Sequence, residues 1–277
     1  MTEEPKTSRR TVLKSAAAGM IGFGGPDVIG TTSASQSVWL DAYIYVNEAG
    51  AQESMAHEAK DALETLFEHV GNSGHCDFDY TVYNRYDTQA SDGEYPSVGA
   101  GEIHAWEDWL TDQGHTEGAD SGEAAVHHLV RHDASVTGGG KGWGGRVCWP
   151  DDISLNPTMS TASGADDWHR LTVQHEVGHQ MIDATISRVD EKTHSSAAEC
   201  QHADDGETIH NAEHTLGTVV DGGKTVMAHR SPTAAECDGG GDGSGVGDNN
   251  AHGTGITPDR TSHAADKAFG ITKREHS

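Results

Sequence analysis

The chain has 277 residues, enough for one large domain or two small ones. Its 44 Asp and Glu residues outnumber 18 Lys and Arg residues, so the net charge at pH 7 is −26. A surface this acidic disfavours nucleic acid as a partner because the phosphate backbone is also negative. With 6% aromatic residues, such acidity indicates either disorder or a folded protein adapted to concentrated salt, where screening weakens self-repulsion. Periodic segments in the middle of the chain favour the folded interpretation.

Residues 1–37 have the pattern of an export signal. The pair Arg9-Arg10 precedes a weakly apolar run from Ser15 to Gly25, and small residues follow near Thr31 to Ser37. This order resembles a twin-arginine signal; the alternative is a disordered basic tail. The apolar run is too short for a stable membrane anchor. We therefore expect a secreted protein, and the acidic, Gly-rich, Lys-poor composition resembles that of secreted proteins of halophilic archaea.

The first folded segments predict a strand, a helix and a second strand. Residues Val38–Val46 are rich in β-formers and partly alternate, which predicts a strand. Apolar residues recur at the helical period from Gln52 to Val70, and Gly71–Gly74 ends that helix. Residues Phe78–Tyr83 predict the second strand. The spacing favours a βαβ unit on one sheet.

The next segments predict a short helix, a strand and a loop. Residues Glu102–Leu110 form an amphipathic pattern, and Ala124–Arg131 predict a strand. Within that strand His127 and His128 are adjacent and point to opposite faces, so at most one of them could reach a shared site. We interpret neither as a metal ligand. The glycine-rich residues 138–145 predict a flexible loop.

The segment with the clearest chemical signature is His175-Glu176-Val177-Gly178-His179. On a helix, residues four apart lie on the same face, so both imidazoles can reach one metal ion. The helix is predicted to be capped by Asp166 or Asp167 and buried on two sides. Its apolar stripe also includes two residues beyond the motif, Ile182 and Ile186.

This spacing supplies two nitrogen ligands, and Glu176 lies beside the remaining coordination positions as a carboxylate base. Burying two imidazoles and a carboxylate is costly unless a metal compensates them. The alternative to a metal-binding helix is a surface helix that carries His by chance, since the chain has 19 His.

The remainder of the chain is less regular. Residues 190–211 are polar and His-rich, and the turn Asp221-Gly222-Gly223 separates two short apolar stretches. Residues 238–277 are predicted to be a Gly/Asp-rich, disordered tail, because the run up to about Gly255 is nearly all Gly, Asp, Ser and Asn. The predicted domains are thus a signal region at 1–37, a catalytic domain at 38–237 and a tail at 238–277.

An even number of cysteines in an exported chain predicts two disulfides among three possible pairings. We favour Cys200–Cys237 and Cys76–Cys148. Thiolate ligation of a metal is disfavoured because the chain has no C-x-x-C pair.

Together these segments resemble a zincin metallopeptidase of the metzincin type. The resemblance rests on the His175–His179 motif and on Val226-Met227-Ala228, which is similar to the Met-turn beneath the metal. It implies an α+β, zincin-like fold: a mixed twisted sheet, a central motif-bearing helix and an irregular C-terminal part. It also places an edge strand bordering the cleft near residues 138–145.

The chain departs from the metzincin pattern at the third ligand. Ile182 and Thr185 stand where that pattern has Gly and a third His. His214 is the favoured replacement because it precedes the Met-turn-like segment, the order that metzincins use. Glu213 or Asn211 would then support a ligand. Other downstream candidates remain open: His194, Glu199, His202 and His210.

The resemblance implies a secreted Zn²⁺ endopeptidase that hydrolyses peptide or protein substrates by metal-activated water. His175, His179 and His214 would bind the metal, and Glu176 would act as general base. Two alternatives remain: a non-catalytic exported metal-binding surface protein, and a metallohydrolase of a non-peptide amide or ester. Cleavage specificity and oligomeric state do not follow from the sequence.

Overall fold

A computed structural model describes most of the chain from Val38 onward. The described residues are 38–46, 53–85, 102–119, 123–133, 139–142, 146–152, 154–190, 213, 216–217, 219–220, 223–227 and 255–277. All of them belong to one compact unit, residues 37–277. The predicted signal region, residues 1–37, lies outside the described residues.

The centre of the fold is a five-stranded sheet. Its strands are β1 (Val38–Val46), β2 (Phe78–Asn84), β3 (Ala124–His132), β4 (Gly139–Gly142) and β5 (Pro157–Ala162). Their spatial order is β2-β1-β3-β5-β4. The first four in that order run parallel, and β4 pairs antiparallel with β5 at one edge.

Helices cover both faces of this sheet. They are α1 (Glu53–Asn72), α2 (Glu102–Asp112), α3 (Asp167–Gln180), the single turn α4 (Ser187–Asp190) and α5 (His263–Glu275). The larger core cluster joins α1, α3 and α5 to one face, and α2 covers the other with Trp106 and Leu110. Among the described residues, no helix is both long and apolar enough to cross a membrane.

A second, three-stranded sheet lies late in the chain. It joins β6 (Val219–Val220), β7 (Gly223–Lys224) and β8 (Gly255–Ile256) in that order. Strands β6 and β7 are antiparallel, whereas β7 and β8 are parallel. Strand β8 therefore brings the last part of the chain back beside the Met-turn-like segment.

The architecture confirms the predicted α+β class, with a mixed sheet and the motif on a central helix. The βαβ unit is present, because β1 and β2 are parallel neighbours connected through α1. Residues 139–142 form strand β4 rather than only a loop, at the sheet edge that the resemblance implied.

Strand β5 had no sequence prediction. Its residues Thr158 and Ser160 are polar but fully buried, so the segment lacks the apolar alternation of an ordinary strand. Both hydroxyls are satisfied by His128 of β3, at 2.8 and 2.9 Å from its Nδ1 and Nε2. A hydrogen-bonded polar layer replaces apolar packing there.

The predicted disordered tail is wrong for residues 255–277. This stretch contains β8 and α5, and Ala265, Ala268 and Phe269 are fully buried in the larger core cluster. Ser262 caps α5 by accepting from Ala265 N at 3.0 Å. The prediction was extended too far, because the Gly/Asp-rich composition ends near Gly255, where β8 begins, and a helix with a buried face follows at His263. Residues 238–254 lie outside the described residues.

The predicted disulfide Cys76–Cys148 is not formed. Both cysteines are buried free thiols in the larger core cluster. Burial raises the pKa of Cys76 to about 12 and raises that of Cys148 as well, which disfavours the thiolates needed for disulfide exchange. An even number of cysteines suggests disulfides, but it does not show that any two cysteines lie at the distance and orientation that a disulfide requires. Cys200 and Cys237 lie outside the described residues.

Candidate metal centre

The motif helix α3 is held firmly at both ends. Asp166 is the N-cap, and its side chain accepts from His169 N at 2.8 Å. The helix ends at Gln180, directly after the motif, with Met181 as C-cap. The predicted continuation of the helical stripe to Ile182 and Ile186 is therefore wrong, and the chain turns away without a glycine.

The two motif imidazoles face each other. His175 Nε2 and His179 Nε2 are 3.1 Å apart, and the two rings are perpendicular, at 87°, with centroids 4.6 Å apart. Helical spacing explains this placement, because residues four apart overlie one another. Both nitrogens thus point into the same small volume.

The opposite nitrogen of each ring has a defined partner. His175 Nδ1 donates to the carbonyl oxygen of Val226 at 2.5 Å, and His179 Nδ1 donates to the Glu213 carboxylate. Because a carbonyl or a carboxylate can only accept, Nδ1 carries the proton in both rings, and in the neutral form of each ring Nε2 carries the lone pair. Burial lowers the pKa of His179, but the Glu213 hydrogen bond and charge outweigh it and the pKa is raised.

Two converging lone pairs fit a cation. Repulsion between two Nε2 atoms 3.1 Å apart is relieved when a positive ion lies between them. Zn–N bonds of about 2.0–2.1 Å in tetrahedral geometry place two nitrogens about 3.3 Å apart. The donor type, the tautomers and the nitrogen spacing therefore all fit zinc.

Glu176 lies between the motif helix and the sheet edge. It is 7% exposed, and its charge acts on His179. A Cβ at Gly140 of β4 would lie 2.4 Å from Glu176 Cγ and 2.7 Å from its Cδ. The missing side chain at Gly140 thus leaves the space that the Glu176 carboxyl group occupies.

The Met-turn-like segment lies against the motif. A Cβ at Gly178 would be 2.6 Å from Met227 Sδ, and Met227 is fully buried. The preceding residue, Val226, provides the carbonyl that fixes His175. Both contacts place this segment beside the two imidazoles, as the resemblance implied.

A third ligand is not found within the described part of the chain. There, no group of three or more His, Cys, Asp or Glu side chains is placed to hold a metal. The favoured residue His214 lies outside the described residues, as do His194, Glu199, His202 and His210. Its neighbour Glu213 is described, and it contacts His179 in the supporting position that the sequence suggested.

The histidines interpreted as non-ligands lie elsewhere, on opposite faces of β3. His127 is hydrogen-bonded to Tyr45 Oη at 3.1 Å and to Glu117 O at 2.8 Å. His128 is bonded to the two hydroxyls of β5. Burial lowers the pKa of His127 to about 4 and that of His128 to about 3, so both rings are neutral. They belong to the internal packing of the sheet.

Comparison with known proteins adds one family match. Residues 82–182 match the family described as Metallo-peptidase family M12B Reprolysin-like, a stretch that contains His175, Glu176 and His179. No curated protein matches the chain significantly. Among solved structures, metalloproteinase-II from Bacteroides fragilis is similar, with 17% identity and a TM-score of 0.38. The similarity covers 53% of this chain and 44% of that one, so it spans less than half of that protein.

The family match covers less than half of the chain, and it supports a metallopeptidase, hence a hydrolase. Members of that family are typically zinc-dependent, in agreement with the fit of the two imidazoles to zinc. The match and the motif geometry support the same class of enzyme, a metallopeptidase.

Proposed function

We propose that the chain is a secreted zinc endopeptidase in which His175, His179 and His214 bind the metal and Glu176 is the general base. The observation that carries this proposal is the 3.1 Å approach of His175 Nε2 to His179 Nε2, with both Nδ1 atoms engaged elsewhere. When bound, Zn²⁺ would supply a Lewis acid that polarises the scissile carbonyl and lowers the pKa of water.

Side chains of the protein would transfer the proton during hydrolysis. Glu176 is nearly buried and lies beside His179, so its carboxylate is placed to take a proton from the attacking water and donate it to the leaving amine. Gly140 leaves room for that carboxylate at the edge of the sheet. Val226 O and Glu213 keep the imidazoles in the tautomer that presents Nε2.

Metal content and hydrolysis test the core of the proposal. The full chain, purified in concentrated salt, is expected to contain about one zinc per molecule and to hydrolyse casein until a chelator removes the metal. Glu176→Gln should retain zinc and lose about 10²–10⁴-fold in rate. Glu64→Gln, on the exposed face of α1, is the matched control and should behave as wild type. Chelator-resistant hydrolysis would overturn the proposal.

The same measurements separate the two alternatives. Zinc retained without hydrolysis of any peptide, and no effect of Glu176→Gln on any activity, supports a metal-binding surface protein. Cleavage of amide or ester substrates but not of peptides supports a different metallohydrolase.

The third ligand can be identified by zinc content alone. Alanine variants of His214, Glu199, His202 and His210 are compared after dialysis against a weak chelator. We expect His214→Ala to lose zinc as completely as His175→Ala, while the other three retain it. Zinc loss in another variant instead would assign the ligand there.

Export by the twin-arginine route is part of the proposal and rests on Arg9-Arg10 and the apolar run that follows. Replacing both arginines by lysine should leave the protein inside the producing cell, whereas the wild-type chain is recovered in the medium with a shortened N-terminus. Equal recovery of both in the medium contradicts this route.

A further inference from the structure

The segment Asp259–Ser262 contacts both chain segments that hold the motif histidines. Arg260 O accepts from Val226 N at 2.9 Å, and Val226 O is the acceptor for His175 Nδ1. The Ser262 hydroxyl donates to Leu216 O, three residues after the Glu213 that holds His179. This segment, hereafter the C-terminal clamp, is therefore hydrogen-bonded directly to Val226, which holds His175, and to Leu216, which lies close in sequence to Glu213.

Asp259 fixes the clamp to the motif helix. Its Oδ1 accepts from Arg170 Nε at 2.6 Å and from Gln174 Nε2 at 2.5 Å, and its backbone N donates to Gln174 Oε1 at 2.9 Å. Arg170 and Gln174 are four residues apart on α3, so they form one face. Gln174 is fully buried and directly precedes His175.

The backbone of Asp259 is itself unusual. Its φ of 68° makes it the one non-glycine residue with a positive φ among the residues that the structure describes. Such a conformation is uncommon for a non-glycine residue, although Asp and Asn adopt it more readily than most. Three hydrogen bonds join this residue to α3, and the next carbonyl, that of Arg260, accepts from Val226 N.

Arg170 is already neutralised without Asp259. Its Nη1 donates to Glu58 Oε1 at 2.8 Å and to Asp61 Oδ2 at 2.6 Å, both on α1. Burial lowers the pKa of Arg170, but the hydrogen bonds to Asp259, Glu58 and Asp61 together outweigh burial and the pKa is raised. Asp259 is therefore not needed to balance the charge of Arg170, which leaves the placement of the clamp as its distinct role.

We propose that Asp259 is a positioning residue of the metal centre, which acts through Arg260 and Val226 to hold His175 in the metal-binding tautomer and orientation. The inference rests on the proposed zinc site at His175 and His179. Without Asp259 the clamp loses its register on α3, the Val226 carbonyl shifts, and Nε2 of His175 is no longer fixed toward Nε2 of His179.

The test compares zinc affinity in variants of the full chain. Asp259→Gly accepts the positive φ but removes the carboxylate, and Asp259→Asn retains an acceptor and tolerates the same backbone. Asp61→Ala is the matched control, since it removes another carboxylate from Arg170 but leaves the clamp intact. Zinc dissociation constants come from competition with a chromogenic chelator, and Co²⁺ absorption spectra report the ligand geometry.

We expect Asp259→Gly to weaken zinc binding about 10-fold or more and to change the Co²⁺ spectrum. Asp259→Asn should restore most of the affinity, and Asp61→Ala should match wild type in both measurements. Equal affinity of Asp259→Gly and wild type would overturn the positioning role while leaving the zinc site intact. A wild-type chain that binds no zinc would overturn the metal site and this role together, whereas zinc binding without peptide hydrolysis would overturn only the proposed activity.

Discussion

Met227 Sδ lies against the backbone of Gly178, so that a Cβ at position 178 would be only 2.6 Å away. Gly178 lies on the motif helix between Glu176 and His179, and Met227 follows the residue that holds His175. The absence of a side chain at Gly178 thus allows the Met227 segment to reach the imidazoles. We expect Gly178→Ala to destabilise the fold by about 1–3 kcal/mol through overpacking.

A double-mutant cycle checks that this cost arises from the Met227 contact. Met227→Ala alone should destabilise the fold through the cavity it leaves. In combination, the new methyl group at 178 occupies part of that cavity, so the double variant should cost less than the sum of the single ones. Urea unfolding measures each free energy of unfolding, and strict additivity would show that the two residues do not interact.

Gly140 is expected to control the position of Glu176. In Gly140→Ala the new Cβ would lie 2.4 Å from Glu176 Cγ. Because Cγ is only two bonds from the Cα of Glu176, the clash must be relieved by moving the whole carboxyl group. A displacement of this kind should lower kcat/KM by about 100-fold while zinc content stays unchanged.

Gly142→Ala is the matched control for that change. The nearest atom to its Cβ would be Gln180 Nε2, at 2.8 Å, at the end of a flexible side chain that can adjust, whereas the Glu176 backbone oxygen would lie at an ordinary contact distance of 3.5 Å. Steady-state kinetics and zinc analysis of both variants should therefore separate them. Equal losses in the two variants would show that edge-strand packing in general, rather than Glu176, sets the rate.

Glu213 is expected to contribute to metal affinity through His179. Glu213→Gln keeps the shape of the side chain but removes the negative charge that accepts the hydrogen bond from His179 Nδ1. This substitution should weaken zinc binding about 10-fold. Glu107→Gln is the control, because Glu107 is also partly buried and paired, with Arg146 at 2.6 Å, but does not contact the motif. Chelator competition measures both constants, and an unchanged constant in Glu213→Gln would exclude this support.

The sequence predicted the elements whose patterns are local. Strand β1, helix α1 and the motif helix have clear periodicity, and the Asp166 cap has its local signature. Strand β5 was missed because its buried positions are polar, and their partner His128 is remote in sequence.

Local sequence patterns also could not predict the hydrogen bonds that hold the motif histidines. The bonds from His175 to Val226 and from Val226 to Arg260 join positions that are far apart in the chain. Glu213 was named as a possible support, but only the fold shows that it meets His179. Asp259 carried no local signal because its role depends on a positive φ and on two side chains of another element.

The two buried histidines of β3 are expected to make stability depend on pH. Burial lowers the pKa of His128 from 6.5 to about 3 and that of His127 to about 4. Between these values and 6.5 the unfolded chain binds protons that the folded chain does not, so the free energy of unfolding rises with pH. Each histidine contributes about 1.4 kcal/mol per pH unit in this window, and its contribution is complete above pH 6.5.

His128→Gln should therefore reduce the difference in unfolding free energy between pH 5 and pH 7 by about 2 kcal/mol. Urea unfolding at both pH values measures it, with the exposed His104→Gln as control; an equal pH dependence in wild type and His128→Gln would contradict a neutral, buried His128.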